Sequence, residues 1–444
     1  MAGVDPLAGP TKARLLLFAF GDFAFNLYWQ SVMLFLLFYY TDALELPMKV
    51  AATAYMVASV WDGIASFIVG VLVDRHRSAR GYGTVLTVGA IPLSLSFILA
   101  YLPPSSSSWL GIGLVFGGHL LFRTAYAAIN VPYLAMSARI SSDERDRALV
   151  AGLRMLFGTA AAVLVALATV PLGQWLTGSS AAESFLGSAI IFAILGAMIL
   201  LLVGATFREA AKVERPYPSD VMTALRSLFR NRAFVMLNAA MMAMIVAITV
   251  LNKSVLYYFK YLLNDPEAGQ LALASMGVVS GIAIPLWILL GRVVGLRALW
   301  LFAAGAGMVG LAIFAAVDIR GAASMQLFLI AMQVLIVGLN FAFWAMLPNV
   351  IEYGERETGI HVEGTVFGMA ALLQRVAIGI ATAILGWSFA SAGYVPNVQQ
   401  ASDTLAGMRA TAALAPLLFL GLSCVAMLAN PLGRGSSSKA AEPA

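Results

Sequence analysis

Residues 57–81 read VASVWDGIASFIVGVLVDRHRSARG. An acid, Asp62, sits inside an apolar run long enough to cross a bilayer, and the run ends in Asp74, Arg75, Arg77 and Arg80. A carboxylate in hydrocarbon is costly unless it is protonated, paired or ligating an ion, so it marks a functional site. The basic cluster beyond it predicts a cytoplasmic membrane edge, because cytoplasmic loops collect Lys and Arg. This one stretch therefore predicts a membrane protein, its orientation and a place where charge is handled.

The rest of the chain agrees. Of 444 residues, 61% are hydrophobic and 11% charged, and mean hydropathy is +0.88, whereas soluble domains carry about 25% charged residues. The bases from Lys12 and Arg14 onward gather in alternate loops and the termini, among them Arg139, Arg208, Arg232, Arg297, Arg356 and Lys439. The intervening loops hold only Lys49, Lys260, Arg320 and Arg409. That bias predicts an inner (cytoplasmic) membrane protein with both termini cytoplasmic, and it accounts for the net +5 charge without any nucleic-acid partner. Cys424 is alone, so no intramolecular disulfide forms. The N-terminus has no signal-peptide pattern, and the first apolar run is expected to stay as a membrane helix.

Apolar runs of spanning length fall near 13–41, 48–74, 83–102, 109–137, 148–176 and 184–207, then 233–263, 268–290, 298–317, 323–352, 363–392 and 408–430. The fold class is an all-α integral membrane protein of twelve transmembrane helices in two pseudo-symmetric six-helix bundles, the plan of the major facilitator fold. The bundles are expected at 1–207 and 233–430, with a cytoplasmic linker at 208–232 and a disordered tail at 431–444. Within the linker, SDVMTALRSLF reads as a short surface helix with Ser219 as a cap. An echo between GVLVDRHRSARG and GRVVGLR, after the second and eighth spans, is faint.

Six ionisable residues lie well inside the spans: Asp22, Asp62, Arg123, Arg154, Lys253 and Arg375. They could be structural salt bridges, and Arg154 and Lys253 could snorkel to an interface. Charges at this depth more often line a polar pathway. Two acids against four bases leave a formal excess of two positive charges, which a bound anion would relieve if all six face one cavity. Tyr126, Trp61 and Trp344 are deep enough to stack on a sugar ring, although helix packing explains a lone tryptophan as well. His76, His119 and His361 form no cluster, so neither metal nor cofactor is expected. No P-loop lysine motif and no nucleophile–base pair is present, which argues against direct ATP use and against an enzyme.

Several segments resemble the glycoside–pentoside–hexuronide:cation symporters, the melibiose permease-like branch of the major facilitators. They are GDFAFN at 21–26, LFYYTD at 37–42, VWDGI at 60–64, DRHRSARGYG at 74–83, NVPYLAM at 130–136, LYYFKYLL at 256–263 and EYGERETGIHVEG at 352–364. The last is the most specific, and the matches run in order through both halves. The resemblance implies substrate binding between halves that rock to give alternating access. It places Asp22, Tyr126 and Arg154 in the sugar site, with Asn130 where the family has an acid, Leu134 where it has a stacking tryptophan and Arg375 where it has a lysine. It places Asp62 and Ser66 where the family has a pair of acids that bind the coupling cation, with Ala65, Ala127 and Ala371 replacing further ligands. Asp74, Arg75, Arg77, Glu352, Glu355 and Glu363 fall in the gating loops.

Relative to the type member, two acids are lost, at Ser66 and Asn130, and two bases appear, Arg123 and Lys253. The expected function is therefore secondary transport of a small anionic sugar-like solute, a uronic acid or hexuronide. Coupling to protons is favoured over sodium, with Asp62 as proton carrier or as the counter-ion of a cavity base. The expected partners are the solute, the coupling ion H+ and membrane lipid, and the expected state is a monomer. The alternatives are a lysophospholipid or other amphiphile carrier, an uncoupled facilitator or exchanger, and a non-transporting membrane sensor.

Overall fold

The structure is a computed structural model that describes residues 11–75, 82–104, 109–137, 140, 144–179, 182–207, 221–317, 319–358 and 363–432. These residues form thirteen α-helices. In the first half they are α1 (Lys12–Phe38), α2 (Met48–Arg75), α3 (Tyr82–Ala100), α4 (Trp109–Ser137), α5 (Glu144–Thr177) and α6 (Ala182–Thr206). Then come a short α7 (Val221–Arg230) and six more: α8 (Arg232–Tyr257), α9 (Pro266–Val294), α10 (Leu296–Ala316), α11 (Ala322–Thr358), α12 (Glu363–Ser391) and α13 (Ser402–Ala429). Eleven helices are long and apolar enough to cross a membrane. Helix α4, not among these eleven, has 29 residues and carries His119, Arg123 and Asn130 along its length. Helices are what such segments must form, because hydrocarbon offers the backbone no hydrogen-bond partner.

The spans lie where hydropathy places them, with ends shifted by a few residues. The largest shifts, of six residues, are at the start of α13, which begins at Ser402, and at the end of α11, which runs to Thr358 and takes EYGERET into the helix. There Glu352 and Arg356 pair one turn apart. Asn231 ties this region to the start of α8: its Nδ2 donates to the Val350 carbonyl at 2.9 Å, while its Oδ1 accepts from Phe234 N at 3.0 Å. The surface helix expected in the linker is α7, and Ser219 lies outside the described residues, as does the tail beyond 432.

By compactness the chain divides into two units, Met1–Leu44 with Ile64–Tyr217, and Glu45–Gly63 with Pro218–Ala444. The first half of α2 thus belongs with the second unit. In unit one α1 packs on α5 and α6, α3 packs on α4 and α6, and α5 packs on α6. Unit two repeats the scheme: α8 on α12 and α13, α10 on α11 and α13, and α12 on α13.

Local structure repeats as well. Helix α1 ends in a π-helical turn, Tyr39–Ala43, followed by Glu45 at φ 54° and then Pro47; α8 ends in the same turn, Tyr258–Leu262, followed by Asn264 at φ 54° and then Pro266. In both, the leading tyrosine reaches the chain leaving its unit's third spanning helix. Tyr39 Oη donates to the Tyr101 carbonyl at 2.8 Å, and Tyr258 Oη donates to the Ile319 carbonyl at 3.2 Å.

Candidate functional site

On α1 a polar stripe runs Asp22, Asn26, Trp29, which helical spacing puts on one face. Arg154 reaches Asp22 from α5, with Nε 2.5 Å from Oδ2 and Nη2 3.5 Å from Oδ1. The two side chains are only 12% and 19% exposed, so solvent screens the pair little. Tyr133 from α4 lies under the guanidinium, its ring centroid 5.4 Å away, and its hydroxyl donates to the Phe18 carbonyl at 2.7 Å. Gly21 makes room for that ring, since a Cβ there would fall 2.9 Å from it.

A second cluster in unit one surrounds Arg123, which is 1% exposed. Its Nε donates to His119 Nε2 at 3.1 Å, one turn back on α4. Its guanidinium lies 5.0 Å from the Trp29 ring centroid, an attraction that desolvation strengthens. Trp29 in turn packs 5.5 Å from Tyr126, and Asn130 follows one turn further along α4, both nearly buried. Arg123 and Tyr126 therefore share a wall through Trp29.

In unit two the Asp62 carboxylate, fully buried, accepts a hydrogen bond from Arg375 Nη1 on α12. Close approach of the two helices makes this reach feasible: a Cβ on Gly379 would lie 3.0 Å from the Met56 carbonyl. Lys253 on α8 sets its ammonium 3.9 Å from the Tyr55 ring centroid. The hydroxyls of Ser59 and Ser66, on the turns flanking Asp62, are buried without a hydrogen-bond partner among the described residues. Asp62 is thus a counter-ion of Arg375 rather than a lone acid. Among the described residues no group of three or more His, Cys, Asp or Glu is placed to hold a metal.

The six intramembrane charges divide evenly. Asp22, Arg123 and Arg154 lie in unit one, and Asp62, Lys253 and Arg375 lie in unit two. In formal charge the Asp22–Arg154 and Asp62–Arg375 pairs cancel, and Arg123 and Lys253 are two further buried cations. Each of those cations rests on an aromatic face. Of the gating residues, Glu352 and Glu355 are exposed at the end of α11; Arg77 and the side chains of Asp74, Arg75 and Glu363 lie outside the described residues.

The profile of the family described as MFS/sugar transport protein matches residues 17–434. The chain belongs to that family. It is a multi-pass membrane transporter and not an enzyme. The isoprimeverose transporter of Lactiplantibacillus pentosus is 23% identical over 420 residues, covering 93% of this chain and 87% of that protein. The glucuronide carrier protein homolog of Escherichia coli is 25% identical over 426 residues, covering 94% and 91%. Among solved structures, a bacterial homolog of the human lysosomal transporter Spinster superposes with TM-score 0.72 at 13% identity, covering 95% of this chain and 98% of that one, a likeness of fold.

Four members of the transporter's charged clusters escaped sequence reasoning: Trp29, Tyr55, His119 and Tyr133. Trp29 carries a signal, since it continues the Asp22–Asn26 face of α1. His119 carries another, one turn before Arg123. Tyr55 and Tyr133 have none short of the tertiary packing.

Proposed function

We propose that this transporter carries a small anionic sugar-like solute, of the uronic acid or hexuronide class, across the cytoplasmic membrane by alternating access and in symport with protons. The observation that carries the reading is the burial of two further cations, Arg123 and Lys253, in the membrane-spanning helices. A bound carboxylate offsets part of the cost of keeping such charges out of water. The glucuronide carrier homolog supports the solute class, although the isoprimeverose transporter, at similar identity, is named for a sugar without that charge.

In this reading Arg123, Arg154, Lys253 and Arg375 contact the anion, and the arginines suit bidentate recognition of a carboxylate. Asp22, Tyr126 and Asn130 bond the solute's hydroxyls. Asp62 and Ser66 form the coupling position. A proton on Asp62 ends its pairing with Arg375 and hands that guanidinium to the incoming anion, so the two species move together. Sodium is disfavoured because Asp62 is already engaged by a cation, and two serine hydroxyls are a sparse set of hard ligands. The protein acts as a monomer with both termini in the cytoplasm.

The test is uptake of radiolabelled glucuronate into membrane vesicles under an imposed pH gradient or an imposed sodium gradient. Accumulation with the pH gradient alone is expected. Uptake driven only by sodium removes the coupling claim, and preference for uncharged glucose removes the anion claim. A lysophospholipid that outcompetes glucuronate would favour the amphiphile reading, for which the 42% exposure of Leu134 is the supporting observation.

A further inference from the structure

Arginine keeps its proton at any physiological pH, so in the Arg123–His119 hydrogen bond the imidazole must be the acceptor. With Nε2 accepting, a neutral His119 carries its proton on Nδ1. Both residues are 1% exposed, which makes this a buried, oriented pair rather than a surface contact. Adding a proton at Nε2 would break the 3.1 Å bond and set two cations against each other in a low-dielectric place. Arg123 therefore holds His119 neutral for as long as it stays where it is.

The guanidinium has reason to move. It lies on Trp29, which packs against Tyr126, so a solute seated on that wall meets Arg123 directly. We propose that His119 is a proton-binding site linked to anion binding: an anionic solute draws the Arg123 guanidinium away, and the freed Nε2 lone pair takes a proton from water. One anion and one proton enter together, so the cluster's net charge is unchanged.

His119 is faced by Arg123 from its own helix and by Tyr40 from the π-helical end of α1, with ring centroids 6.0 Å apart. The acid of that turn, Asp42, accepts the Thr41 hydroxyl at 2.7 Å. Helix α3 brings the Leu99 backbone against neighbouring Gly118. The identity of the ligand that moves Arg123 rests on the anionic-solute reading; the Arg123–His119 bond does not. This proton is additional to the one assigned to Asp62.

The chain has three histidines, so nitrogen NMR of the full-length protein labelled with 15N-histidine resolves this one. In the wild type the His119 signals should stay those of a neutral Nδ1–H imidazole as the pH is lowered, and saturating glucuronate at low pH should convert them to imidazolium. The His119 proton should add up to about tenfold per pH unit to the rise of glucuronate affinity on acidification, the slope for one linked proton. His119→Gln offers Arg123 a carbonyl acceptor but no proton site; it should still bind glucuronate, with a pH dependence shallower than wild type by the one linked proton, about tenfold per pH unit. Arg123→Met should let His119 take up a proton on acidification without any ligand. A His119→Gln protein whose slope equals that of the wild type overturns the proposal, as does a His119 that stays neutral with glucuronate bound. Absence of glucuronate binding at every pH overturns the anionic-solute reading and this linkage with it. The Arg123→Met titration separates that outcome from an error about the site itself.

Discussion

Replacing Asp62 by asparagine leaves the Arg375 guanidinium facing a neutral amide in a buried position. Removing one partner of a buried pair costs about 3–5 kcal/mol, mostly for the charge left behind. Asp62→Asn should therefore lower the thermal midpoint in detergent, and Asp62→Asn with Arg375→Gln should lower it less than the two single changes summed. Additive midpoints would mean the pair is not coupled. In vesicles Asp62→Asn should cut proton-driven accumulation and spare exchange, and accumulation undiminished in the mutant would overturn its coupling role. That Asp62 must be held by something was legible in the sequence, because a charge in an apolar run demands a partner. The partner was not, since Arg375 is 313 positions away and only tertiary packing sets it opposite. Asp22–Arg154 is the same case. His119 gives no metal-site signal, because a metal needs a cluster of ligands and its partner is a base one turn along α4.

At the scale of elements, hydropathy located every spanning helix but said nothing of how two of them end. The π-helical turns after α1 and α8 each gain a residue per turn, place a residue at φ 54° and let a proline start the next helix. The matching LFYYTD and LYYFKYLL segments marked these ends without disclosing the turn. Each tyrosine hydroxyl there bonds a backbone carbonyl, so Tyr39→Phe and Tyr258→Phe should each cost about 1 kcal/mol. Losses that differ severalfold in thermal unfolding would deny that the two ends are equivalent. Asn264 occupies a left-handed conformation that asparagine tolerates and β-branched residues resist. Asn264→Gly should be close to neutral, while Asn264→Val should destabilise by about 1–3 kcal/mol. Equal stability of the two variants would count against strain at this position.

For the molecule as a whole, the repeated packing scheme of the two units and the alternating distribution of bases are independent signs of one architecture. The packing repeat needed the structure, because the two halves share little sequence beyond their helix ends. The charge alternation needed only the sequence, and it makes the orientation testable. Arg and Lys crowd the loops assigned to the cytoplasm and are sparse in those opposite, which fixes topology when the loops are short. Cys424 is the only cysteine, so Cys424→Ser supplies a background without thiols. In that background Ser107→Cys, between α3 and α4 in the sequence, should react with a membrane-impermeant maleimide on intact cells. Lys439→Cys, in the C-terminal tail, should react only after the membrane is permeabilised. Labelling of the tail on intact cells would invert the orientation, and with it the side from which the solute and its proton are taken up.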